Sequence, residues 1–371
     1  MLSDKQSQKA GDNAQMLQAG VVNFYAGIDE IRAREICDET FAIARRDLTN
    51  EARACASQRV QQFEDVLLPR IQCIEGALNM FADPAFQFLL TSAQRTAAAT
   101  ERSADYDMLS ELLACRILKG EQRKNRTGIK RALEIVGEVD DDALCALTVV
   151  HALQTTLPLA SNMNQGLQVL EDMYSKLMYM DLPTGEDWIE QLDILDAVRI
   201  SSGKSFHKLS DFYPEALSGY SAAGICVPSE EYQKAQAILS GANISLDLLA
   251  PNELLDGYVR LSVPNRDGIE NIEFCRQADL SGEGAEILGP ATAAEKNALY
   301  AVWDLYAGGE VKKEAESEFM VRWDSYATLN TLHQWWDALP TEFDITRVGT
   351  VLAHTNARRC DADIPELSLD A

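Results

Sequence analysis

Seven basic residues, Arg116, Lys119, Arg123, Lys124, Arg126, Lys130 and Arg131, stand between Leu112 and Leu133, with Glu121 as the only acid among them. The local net charge is +6 inside a chain whose formal charge is −25. From Arg116 through Lys119, Arg123 and Arg126 to Lys130 the steps are 3, 4, 3 and 4, so a nearly unbroken helix would stack them on one face. Such a face suits phosphates, of a nucleotide or a nucleic acid, or an acidic surface of another subunit. The ordinary alternative is a solvated face balanced by the protein's own acids. No aromatic residue interleaves with the basic ones, so the sequence gives no support for stacking on single strands.

Other chemistry falls short of a motif, and the sequence assigns no catalytic residue, metal ligand or cofactor. The four histidines, His151, His207, His333 and His354, are far apart and none has the i, i+4 partner of a helical zinc site. "GYSAAG" (219–224) lacks the second glycine of a nucleophile elbow, which leaves Ser221 as a strand residue. "GKS" (203–205) would need glycine at position 198, where Val198 stands in a helical pattern. "GEGAEILG" (282–289) lacks the third glycine of a dinucleotide fingerprint. Asp304, Glu310 and Lys312 in "DLYAGGEVKK" offer a weak Mg²⁺-nuclease pattern, the least favoured reading. Asp140, Asp141 and Asp142 read as a helix start, where negative charge meets the positive end of the dipole.

The elements that must position these residues are mostly helices. Three- and four-residue apolar steps run through Val60, Phe63, Leu67, Ile71, Ile74 and Leu78. Asp83-Pro84 predicts a helix start, and helices are expected at 84–99, 104–119, 121–137, 141–156, 163–179, 185–202, 291–307, 310–326 and 327–338. The aromatic run Phe319, Trp323, Tyr326 and Trp336 predicts core or interface packing. "GDNAQMLQAGVVNFYAG" (11–27) breaks the pattern with a strand-like run at Val21, Val22, Phe24 and Tyr25. The expected fold is therefore mainly α, with a short N-terminal β segment and a small α+β insert near residues 215–280, in the order β-α-β-β-β. Four units follow: an N-terminal strand-like assembly segment (1–28), a helical domain (29–214), the small α+β domain (215–280) and a C-terminal helical domain (281–371). In that last unit "FDIT" and the helix after it are similar to the end of a winged helix. "DLSGEGAEILGP" (279–290) reads as a linker.

Composition sets bounds on partners. Residues 1–180 carry 25 acids and 19 bases, net −6, and residues 181–371 carry 33 acids and 14 bases, net −19. So acidic a chain repels polyanions in general, which disfavours wholesale coating of nucleic acid. Eight scattered cysteines without a C-x-x-C read as reduced thiols, and with no signal peptide or membrane-length apolar run the expected compartment is the cytoplasm, away from any membrane.

The segments "SDKQSQKAGDN", "IDEIRAREIC", "FADPAFQFLLTSAQRTAA", "DYDMLSELL", "DDDALCALT", "LDILDAVRI", "GYVRLSVPN" and "FDITRVGTVLAHTNARRC" resemble an uncharacterised family of bacterial proteins of about this length. The resemblance implies no reaction, cofactor or site residue. The head also resembles "GDN…Q.QAG..VN" segments that precede other domains in bacterial regulatory and defence-associated proteins, which implies a stackable strand module and a place in antiphage defence. The leading expectation is a non-enzymatic homo-oligomer, a scaffold or sensor joined through Val21, Val22, Phe24 and Tyr25. A nucleic-acid or nucleotide binding module using the basic stripe is the alternative.

Overall fold

Helix boundaries follow local capping chemistry in the computed structural model, which describes residues 28–44, 49–119, 122–201, 206–277 and 286–367. After α1 (Glu30–Ala44), Thr49 caps α2 (Asn50–Gln72) by accepting the Ala52 N–H. Asp83 accepts the Ala85 N–H at 3.1 Å and opens α3 (Pro84–Ala99), where proline has no N–H to leave orphaned. Then come α4 (Ser103–Lys119), α5 (Arg123–Ile135), α6 (Asp141–Thr155), α7 (Met163–Leu177) and α8 (Asp187–Ile194). Every residue of α6 from Ala143 to Leu153 is buried, which makes it the central helix of the body.

The last helix, α15 (Arg347–Cys360), returns to this body and packs on α6, α5 and α4. Its approach depends on Gly349, where an added Cβ would lie 2.0 Å from the Ala197 carbonyl oxygen. Asn356, fully buried on α15, donates to the Thr148 hydroxyl of α6 at 2.9 Å. Between them lie α9 (Leu209–Ala216), α10 (Ser218–Ser221), α11 (Glu230–Gly241), α12 (Ala293–Trp303), α13 (Gly309–Asp324) and α14 (Ala327–Asp337). One apolar core runs from Ala33 to Ile364, and a smaller one joins α11, α12 and short strands around Ile225, Leu261 and Leu299.

Within residues 215–280 the strands and the long helix follow the expected β-α-β-β-β order, and the remaining β structure departs from the sequence expectation. All strands among the described residues lie between Val198 and Ile345. β1 (Val198–Ile200) pairs antiparallel with β7 (Phe343–Ile345), β2 (Ile225–Cys226) and β3 (Leu249–Pro251) flank β4 (Tyr258–Leu261), and β5 (Glu273–Gln277) pairs with β6 (Glu286–Pro290). Among the described residues the fold is therefore mainly α with a few short internal strands, and the expected N-terminal β segment falls outside them. Val21, Val22, Phe24 and Tyr25 lie outside the described residues.

Each departure has a physical reason. The helix expected over 185–202 stops at Ile194 because Asp196 takes a left-handed conformation (φ 64°), and Val198 then enters β1. The ladder partner of that strand is some 150 residues away, beyond the reach of local periodicity. The expected linker at 279–290 ends in β6, whose partner is β5. Ser221 sits at the end of the helical turn α10 and its hydroxyl donates to the Pro214 carbonyl at 2.6 Å, so it is not a strand residue. No helix among the described residues is long and apolar enough to cross a membrane.

Candidate anion-binding site

The basic stripe is divided between two helices rather than carried by one. α4 ends at Lys119, whose side chain lies outside the described set, and α5 begins at Arg123. α5 is sharply two-sided: Asn125, Gly128, Ile129, Ala132, Leu133 and Ile135 are buried, while Arg123, Lys124, Arg126 and Lys130 are exposed. Its inner face is tied to α15, because Arg347 donates to the Asn125 side-chain oxygen at 2.9 Å. At Gly128 an added Cβ would stand 3.1 Å from the Arg347 side chain, so glycine allows the two helices to close.

Two hollows flank the exposed ridge of α5. One, of about 410 Å³, lies between α3, α4 and α5 and is lined by Phe88, Arg116, Arg126, Lys130 and Glu134. The other, of about 480 Å³, faces β1 and α15 and is lined by Lys124, Arg131, Asp196, Arg199 and Arg347. Arg131 is 3.6 Å from both Glu134 and Asp196, and Asp196 also pairs with Arg199, so the acids of this second side are already engaged. The first side has Glu134 alone as a lining acid. Burial, with the nearby charge of Arg126 second, pulls Arg116 below the usual guanidinium range, and Asp83 opposes the shift.

The start of α5 carries charge of the wrong sign for its own dipole. Its first turn has no acid, its N-cap Gln122 makes no side-chain cap, and Arg123, Lys124 and Arg126 crowd the end where N–H groups already point outward. An anion is what this end would favour. Gln122→Asp, which supplies a cap and a negative charge, should raise stability by about 1 kcal/mol in urea unfolding. Unchanged stability would contradict this account of the helix start.

The structure brings Phe88, Arg199 and Arg347 to a patch that sequence reading confined to 116–131. Phe88 is 79% exposed, on the outer face of α3. A partial signal was present: a helix starting at Pro84 turns by about 200° between Phe86 and Phe88, so one of them must face out. Nothing local says that α4 and α5 run beside it.

The other sequence candidates do not converge. Asp304 pairs with Arg266 at 3.2 Å, Glu310 with Lys313 at 2.9 Å and Lys312 with Glu316 at 3.5 Å, each partnering a different residue. Among the described residues no group of three or more His, Cys, Asp and Glu could hold a metal ion. "GKS" falls in the undescribed 202–205. His151 and His354, 203 residues apart, do meet, with ring nitrogens 3.4 Å apart, and His354 Nε2 reaches the Pro365 carbonyl at 3.0 Å. Burial pushes His151 down to about 4, so the pair is a neutral clasp on the C-terminal segment.

Fold and site together define a mainly helical protein with a concentrated basic ridge on an acidic molecule. The chain belongs to an uncharacterised protein family, whose model matches residues 27–281, a span that includes α5 and its neighbours α3 and α4. No curated protein and no solved structure matches the chain.

Proposed function

We propose that the protein is a binding module that takes a phosphate-bearing polyanion, a nucleic acid, on the outer face of α5. The observation that carries this reading is the exposure of Arg123, Lys124, Arg126 and Lys130 on one ridge, at a helix end without an acid in its first turn, in a chain of net charge −25. Cations gathered on one face while acids prevail elsewhere would orient a polyanion as well as attract it. Each phosphate neutralised releases counterions, so four contacts to a single strand give a salt slope of about −3.

Fluorescence anisotropy with a labelled oligonucleotide at several salt concentrations tests this. The triple variant Arg123→Glu, Lys124→Glu, Arg126→Glu should bind at least about tenfold more weakly, with a shallower slope. Absence of binding by the unaltered protein at low salt would refute the proposal.

A self-associating scaffold is the second reading. Its support is the charge asymmetry, net −6 in residues 1–180 against −19 in 181–371, which makes the acidic half of another copy a rival occupant of the same ridge. In that case the triple variant would lower the mass measured by light scattering, and oligonucleotide would not bind. A defence-associated role rests on the resemblance of the head alone.

A further inference from the structure

We infer that the hollow between α3, α4 and α5 is a base-stacking subsite, so that the nucleic acid this protein takes is single-stranded, with an unpaired base laid on Phe88. This rests on the reading of the α5 ridge as a nucleic-acid face. Phe88 is 79% exposed and lines the same hollow as Arg116, Arg126 and Lys130. A water-exposed phenyl ring beside three cations combines the two parts of single-strand recognition: a π face for the base, and charge for the phosphates on either side of it.

The size of the hollow, about 410 Å³, falls within the range of sites for small organic ligands and admits one nucleoside. A protein partner fits less well. A stable interface removes roughly 800 Å² per partner and has an apolar core, whereas the apolar lining here is confined to Ala85, Phe88 and Leu89, with Arg116, Arg126, Lys130 and Glu134 around it. A duplex fits less well too, because its bases already stack on each other and offer no free face to the ring. Phe88 reaches the site through helix geometry alone. With Phe86 fully buried beneath α3, the ring two residues on is carried to the opposite side, over α5.

The test uses the full chain with three fluorescent probes of equal phosphate number: a ~12-nucleotide pyrimidine strand, the same strand with abasic sites, and a hairpin duplex. Phe88→Ala should weaken binding of the intact strand about tenfold, with an unchanged salt slope because no phosphate contact is lost. It should leave the duplex and the abasic strand unaffected, and the unaltered protein should prefer the intact strand to both. Phe88→Trp should restore or exceed the original affinity, a result that loss of a mere packing residue would not give. Equal affinity of Phe88→Ala and the unaltered protein for the intact strand, with the salt slope retained, would overturn the stacking subsite while leaving the ridge as a nucleic-acid face. Failure of every probe to bind at low salt would overturn both.

Discussion

Replacing Arg260 by methionine is expected to destabilise the folded chain by about 3–5 kcal/mol, the usual cost of stripping one partner from a buried ion pair. Arg260 is 1% exposed on β4, and its guanidinium grips Glu253 with two bonds of 2.9 Å, from Nε to Oε2 and from Nη2 to Oε1. The remaining donors reach the Leu261 carbonyl at 3.0 Å and the Ser161 carbonyl at 3.4 Å, so the side chain joins the small sheet to the start of α7. Glu253 in turn accepts the Met163 N–H at 3.1 Å. Burial pushes the Glu253 carboxyl up, but the bonds and charge of Arg260, helped by that N–H, hold it below the usual carboxylate range. Methionine keeps the volume and leaves this carboxylate without its counter-charge. Urea unfolding of Arg260→Met, Glu253→Gln and the double variant checks the idea. The double variant should recover part of the loss, because no charge is then left uncompensated. Losses that simply add would show that the two residues act separately.

Glu64→Gln should change the pH dependence of stability by nearly as much. Glu64 lies buried between α1, α2 and α3, where Gln94 Nε2 donates to its Oε1 at 2.9 Å and to the Cys37 carbonyl at 3.0 Å. Burial raises its carboxyl to about 7; the Gln94 bond opposes the shift, while Asp38 and Asp65 add to it and Arg34 opposes it. The folded state therefore holds this proton more tightly than the unfolded state does. Its contribution is fully present below about 4.5 and is lost as pH rises through about 7, a change of about 3 kcal/mol. Glutamine keeps the acceptor for Gln94 and cannot ionise. The difference between the variant and the unaltered protein should thus grow in the variant's favour from pH 4.5 to 8. Parallel stability profiles over that range would mean that Glu64 keeps its charge in the folded chain.

The helices were legible where one face is buried and a cap marks the end. Asp83-Pro84 set the start of α3 to the residue, because the cap and the missing N–H are both local facts. The order of β2, α11, β3, β4 and β5 was legible, following the β-α-β-β-β expected for 215–280, but β1 was not, since three residues of ladder carry little pattern and its partner β7 lies far along the chain. For the site, the charges of α5 could be read directly, but their setting could not. The division into helices at 104–119 and 121–137 was legible and α4 and α5 follow it closely, so Arg116 and Arg126 line one hollow from two helices rather than along one helix face. Phe88, Arg199 and Arg347 joined the patch through tertiary folding, which no spacing in the sequence records.

The return of α15 to the centre of the body also bears on how the protein is made. A chain emerging from the ribosome exposes α4, α5 and α6 long before residues 347–360 arrive to cover them. The N-terminal helices can collapse early, but their shared apolar surface must wait for the final segment. Arg347, which props α5 through Asn125, arrives with it. The basic ridge thus takes its final form only once the last helix has been synthesised, so a chain truncated before α15 would carry the charges without the support that sets them in place.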